Sequence, residues 1–108
     1  MFVKVNQLYL NTDKIEILGV YEVPKENEYE IGILVNGQKY VMYDLVGNDL
    51  PEELVIEVQT NVLNVVDNIV KCARVEVQSI DLPRLDLSKY SKPVESVEEE
   101  PKKEQIND

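Results

Sequence analysis

Ile31-Gly32-Ile33-Leu34-Val35-Asn36-Gly37-Gln38-Lys39-Tyr40-Val41-Met42 decides the fold. Two runs of β-forming residues flank Asn36-Gly37, and both central residues of a type I′ turn need positive φ, which Asn and Gly tolerate. A two-residue turn fixes the register on either side. Val35 falls opposite Gln38, Ile33 opposite Tyr40 and Ile31 opposite Met42. Leu34 with Lys39, Gly32 with Val41 and Glu30 with Tyr43 take the other face.

Upstream, alternation continues. Ile15, Ile17, Gly19, Tyr21 and Val23 share one face of a strand, with Glu16, Leu18, Val20 and Glu22 on the other. Pro24 ends it, and Pro24-Lys25-Glu26-Asn27 reads as a loop. Asn11-Thr12-Asp13 reads as a turn, because short polar side chains bond their own backbone. Before it, Val3 and Val5 point one way, Phe2 and Lys4 the other.

Downstream, Asp49-Leu50-Pro51-Glu52 reads as a helix start, with Asp49 as cap and Pro51 in the first turn. The helix is expected to run to about Lys71, with Leu54, Val58, Val62, Val65, Val66 and Ile69 on one stripe. Ala73-Arg74-Val75-Glu76-Val77-Gln78 alternates again, as a closing strand. The expectation is an α+β fold: a small, curved antiparallel sheet of about five strands packed on one long helix. Residues 1–79 form the folded domain, and residues 80–108 an extended to disordered acidic tail. Ile80 to Tyr90 carries spaced apolar residues that suit docking on the sheet or on a partner. Past Ser91 nothing is left to bury, and Glu95 through Asp108 is expected to be solvated and mobile.

The pattern exposes more apolar surface than one helix can cover. Ile15, Ile17, Tyr21, Ile31, Ile33, Tyr40 and Met42 are expected on one sheet face. Leu18, Val20, Leu34, Val41 and Tyr43 are expected on the other, outer face. Ile56, Leu63 and Val70 extend the helix stripe beyond its core-facing residues. Surplus apolar area on a small protein marks a contact surface.

The composition leaves little chemistry. The 108 residues hold 21 acids and 11 bases, no His, no Trp and one Cys, for a net charge of −10. Residues 1–79 alone carry 13 acids and 6 bases, so the negative charge is not a property of the tail. Without His there is no imidazole base, and lone Cys72 has no partner for an internal bridge. The four glycines form no phosphate loop before a helix. Glu22, Glu26, Glu28 and Glu30 crowd one loop, and Glu52, Glu53 and Glu57 one helix end, where acids are normally solvated. No catalytic residue, cofactor or metal ligand is assigned. No apolar run reaches the ~18 residues of a membrane span, and the start lacks a secretory pattern, so the cytoplasm is the expected compartment.

Tyr9 to Glu16, together with Asn36-Gly37-Gln38-Lys39-Tyr40-Val41, resembles the pattern of small FlbD-type flagellar-associated proteins and of many small phage and mobile-element proteins. The resemblance covers about a third of the chain and transfers no function. The expected function is a non-catalytic interaction or regulatory protein, self-associating or binding another protein through the helix and the outer sheet face. The alternative is an acidic phage or mobile-element inhibitor that competes with nucleic acid for a basic protein groove, using Glu22, Glu26, Glu28, Glu30, Glu52, Glu53 and Glu57. In neither case does the chain bind nucleic acid itself, since its field repels phosphates.

Overall fold

The computed structural model describes residues 2–72, 79–90 and 95–97. Their architecture is α+β, but the strands divide into two small sheets instead of one. β1 (Phe2–Val5) and β2 (Leu8–Asn11) form an antiparallel hairpin that turns at Asn6, φ 52°. Asn enters this left-handed conformation more readily than other non-glycine residues. β3 (Leu18–Lys25), β4 (Glu28–Val35) and β5 (Gln38–Val46) form an antiparallel meander, followed by α1 (Glu52–Cys72). β6 (Ser79–Ile80) joins β1 in parallel, and β7 (Glu95–Val97) pairs with β5, so the stretch expected to be solvated from Glu95 opens instead as a strand held by backbone pairing.

Asn36 explains why the two sheets separate. The turn is as expected, with φ 51° at Asn36 and 87° at Gly37. Its side chain also reaches back across the chain. Asn36 Oδ1 accepts from the amides of Glu16 (2.7 Å) and Ile17 (3.0 Å), and Nδ2 donates to the Lys14 carbonyl (2.8 Å). These bonds satisfy the backbone of residues 14–17 outside any ladder. After the 3₁₀ turn at Thr12–Lys14 the chain therefore passes to the second sheet, and the strand begins at Leu18, not Ile15. Ile17, expected on the core face, is 68% exposed.

The β4–β5 register matches the sequence from Val35/Gln38 to Gly32/Val41 and then shifts by one residue, so that Ile31 pairs with Tyr43. Met42 is the extra residue of a β-bulge, which re-aims the side chains beyond it. Gly32 permits the bulge: a Cβ there would stand 2.0 Å from the Tyr40 carbonyl oxygen. Tyr43 consequently turns away from the outer face and into the core, fully buried beside Met42.

A second correction concerns β3. Leu18 pairs with Val35 and Val20 with Ile33, while Tyr21 pairs with Gly32. Cross-strand partners share a face. Leu18 and Val20 therefore lie on the core face, packed against the core cluster, and Tyr21 lies on the outer face. Alternation alone says which residues of a strand share a face, not which face. The connection decides that, and it is shorter than expected: Pro24 and Lys25 remain in β3, leaving only Glu26-Asn27 as the turn.

α1 starts where the Pro51 carbonyl accepts from the amides of Leu54 (3.1 Å) and Val55 (3.2 Å). Asp49 is not the cap; it sits in the left-handed region at φ 50°, two residues upstream. Leu54, Val58, Val62, Val65 and Ile69 are buried, as the stripe predicts. Each such burial contributes about 1.5–3 kcal/mol. That outweighs the few tenths of a kcal/mol by which each Val disfavours a helix relative to the best formers.

Residues 79–90 pack on the domain from the helix side. Ile80 is buried, and Leu82, Leu85, Leu87 and Tyr90 pack on the core. The Tyr43 hydroxyl donates to the Pro83 carbonyl (2.7 Å) and accepts from Asn61 Nδ2 (3.2 Å). Asn6 binds this segment at both ends of its residue: its amide donates to the Ile80 carbonyl, and its Oδ1 accepts from the Leu82 amide. The Tyr90 hydroxyl donates to Glu57, which also pairs with Lys89 at 3.3 Å. The expected strand at 73–78 and the end of the tail from residue 98 lie outside the described residues.

Candidate interaction surface

α1 packs most closely on β4 and β3. Its direction is fixed by its polar contacts. Gln59 Nε2 donates to Glu22 Oε1 (3.1 Å) and to the Tyr29 hydroxyl oxygen (3.2 Å), and that hydroxyl donates in turn to Glu22. Burial, and then the Glu22 carboxylate, push the Tyr29 hydroxyl up to about 12. Val55, one turn earlier, borders an open depression of about 360 Å³ with Pro24, Glu26, Tyr29 and Leu50. The N-terminal half of α1 therefore lies over the Glu22–Tyr29 end of the hairpin.

Ile56, Leu63 and Val70 are 52%, 54% and 52% exposed. At about 100° per residue they form one row, seven residues apart, joined to the buried stripe through half-buried Val55, Gln59 and Val66. The opposite flank carries Glu57, which binds Tyr90, and Asn61, which binds Tyr43. The row thus lies on the flank away from residues 79–90 and toward β3. Among the described residues β3 is an edge strand. Exposed Ile17 and half-buried Leu18 and Val20 stand at its start, and no charged residue lies between Ile17 and Tyr21.

The outer sheet face is less open than the sequence implies. The Tyr21 ring lies across Gly32 and is itself buried. Its hydroxyl donates to Glu30 (2.8 Å), and Lys39 Nζ stands 5.2 Å from the ring centre. Leu34 and Val41 are half-buried on this face. Of the outer-face residues expected from sequence, these two lie there, while Leu18, Val20 and Tyr43 lie on the core side. A strand edge without a neighbour among the described residues, beside an exposed helix row, takes the place of a broad apolar sheet face.

The acidic residues do not form one surface. Glu22 faces the helix side through Gln59, and Glu30 the outer face through Tyr21. Glu28 pairs with Lys25 at 3.9 Å, and Glu57 serves the 79–90 segment. Glu26 sits in the β3–β4 turn, and Glu52 and Glu53 open the helix. Glu52 and Glu53 suit the positive end of the helix dipole.

Sequence reasoning found the helix row, because a heptad spacing is visible in one dimension. It missed the strand edge, which depends on sheet order. No family model, curated protein or solved structure matches this chain.

Proposed function

We propose that this chain is a non-catalytic protein-interaction module whose contact surface is the α1 row Ile56–Leu63–Val70 together with the neighbouring edge of β3. One observation carries this: three large aliphatic side chains at heptad spacing are each more than half exposed, beside a strand edge without a neighbour among the described residues. Apolar rows at this spacing pack on other helices, and open edges pair with strands. Both are binding devices, and neither requires the catalytic groups that the sequence lacks.

The alternative, an acidic competitor of nucleic acid, draws support from the net charge of −10. It draws none from arrangement. A phosphate mimic needs its carboxylates on one face, and here Glu22, Glu28, Glu30 and Glu57 serve separate local partners.

Light scattering and circular dichroism of Leu63→Glu test the proposal together. The variant keeps the native spectrum, because the side chain lies outside the core, and it loses association, because a carboxylate buried in the contact lacks a partner. An unfolded Leu63→Glu would return the row to the core and refute the proposal.

A further inference from the structure

We infer that the occupant of this surface is a second copy of the chain, joined through antiparallel pairing of β3 with β3 about a twofold axis at Val20. The inference rests on the reading above and goes further by naming the partner and the register. An edge strand offers a row of backbone donors and acceptors, which only another strand satisfies in full. Antiparallel pairing of one segment with itself is self-complementary, so it closes at two copies.

The register follows from the sequence of β3. Cross-strand partners must share a face, so the residue numbers of a pair must sum to an even number. Centring on Gly19 would set Glu16 against Glu22 of the other copy. Centring on Glu22 would oppose that residue to itself. Centring on Tyr21 would bring Pro24, which has no amide hydrogen, into the paired segment. Centring on Val20 avoids all three. It pairs residues 18–22 with 22–18, places Glu22 against Leu18, and sets Tyr21 across from Gly19. A Cβ built at Gly19 meets no atom of the described residues within 4 Å, so no side chain there opposes a second strand. The Tyr21 ring itself stays over Gly32 of its own chain, held by Glu30 and Lys39 on the β4 side, so it leaves the β3 edge clear.

The helices meet the same condition independently. α1 lies over β3 and β4. With strands about 4.8 Å apart, a twofold axis midway between the two β3 strands sets the two helices about 10 Å apart. Packed helices stand about 8–10 Å apart. Half-buried Val55, Gln59 and Val66 form the flank nearest that seam, and Val70 and Leu63 continue it on the solvent side.

Oxidative cross-linking of the full-length chain tests the register, in a Cys72→Ser background that leaves one thiol. Val20→Cys should form a disulfide-linked dimer, since residues facing each other at the axis meet the separation a disulfide needs. Val23→Cys should stay monomeric on the same gel, because its nearest counterpart lies about 20 Å away along the strands. Adding Leu63→Glu to Val20→Cys should weaken dimerisation on the order of tenfold or more in sedimentation equilibrium. Equal cross-linking at 20 and 23 would overturn the register. A wild type that stays monomeric at millimolar concentration would overturn the second copy as partner. In that case a folded Leu63→Glu would still leave the interaction surface standing for a different protein.

Discussion

Gly32→Ala puts the bulge to a quantitative test. The added methyl carbon would sit 2.0 Å from the Tyr40 carbonyl oxygen, 2.9 Å from its carbon and 2.8 Å from Cε1 of Tyr21. The Tyr21 ring can swing away, but the Tyr40 main chain cannot move alone, because it is held in the β4–β5 ladder. Clearing the oxygen requires β5 to retreat by about 1 Å or more, given normal carbon contacts of about 3.5 Å. Overpacking of this kind costs about 1–3 kcal/mol, and each ladder bond loosened adds about 1 kcal/mol. A total of about 3–5 kcal/mol is a large share of the ~5–15 kcal/mol that holds a small domain together. Urea unfolding followed by circular dichroism reads it directly. Gly32→Ala should unfold at much lower urea. A midpoint within error of wild type would refute the close approach, and with it the explanation for Tyr43 entering the core.

Two further outcomes follow from the same contacts. Asn36→Gly keeps the turn's positive φ but removes the three side-chain bonds to residues 14–17; it should cost about 1–2 kcal/mol in urea unfolding, since these bonds are solvent-exposed. At alkaline pH, burial and the Glu22 carboxylate raise Tyr29 to about 12, and burial and Glu57 raise Tyr90 to about 12. The folded chain holds these protons when the unfolded chain has lost them, so stability present below pH ~10 declines as pH rises toward ~12. Ultraviolet titration should show Tyr29 and Tyr90 ionising late, and Tyr29→Phe should remove one late-ionising group.

What the sequence revealed was local or periodic. The Asn36-Gly37 turn and the stripe from Leu54 to Ile69 depend on φ preferences and on 3.6-residue spacing, and both were readable. The errors share one origin, in that they required knowing how elements meet. A single bulge at Gly32 moves Tyr43 across the sheet, and an ordinary glycine in a strand does not announce one. The two-residue Glu26-Asn27 turn exchanges the faces of Leu18 and Tyr21, and Pro24 argued for a longer loop. Asn36 reads as a turn residue, while its side chain also splits the strands into two sheets through contacts some twenty residues away. Of the contact surface, the row was legible because its residues repeat at seven. The edge of β3 was not, because edge or centre is a property of sheet order.

Neighbouring residues on α1 offer the most direct test of the central claim. Val62 is fully buried in the core, and Leu63 is 54% exposed in the row. Val62→Glu places a carboxylate among apolar side chains without a partner and should cost several kcal/mol, on the order of 3–5, enough to unfold most of the protein. Leu63→Glu, measured in dilute solution by the same urea titration, should stay within about 1 kcal/mol of wild type. Equal and severe destabilisation by both substitutions would contradict the account, because the row would then be core and the chain would have no free helix surface to offer a partner.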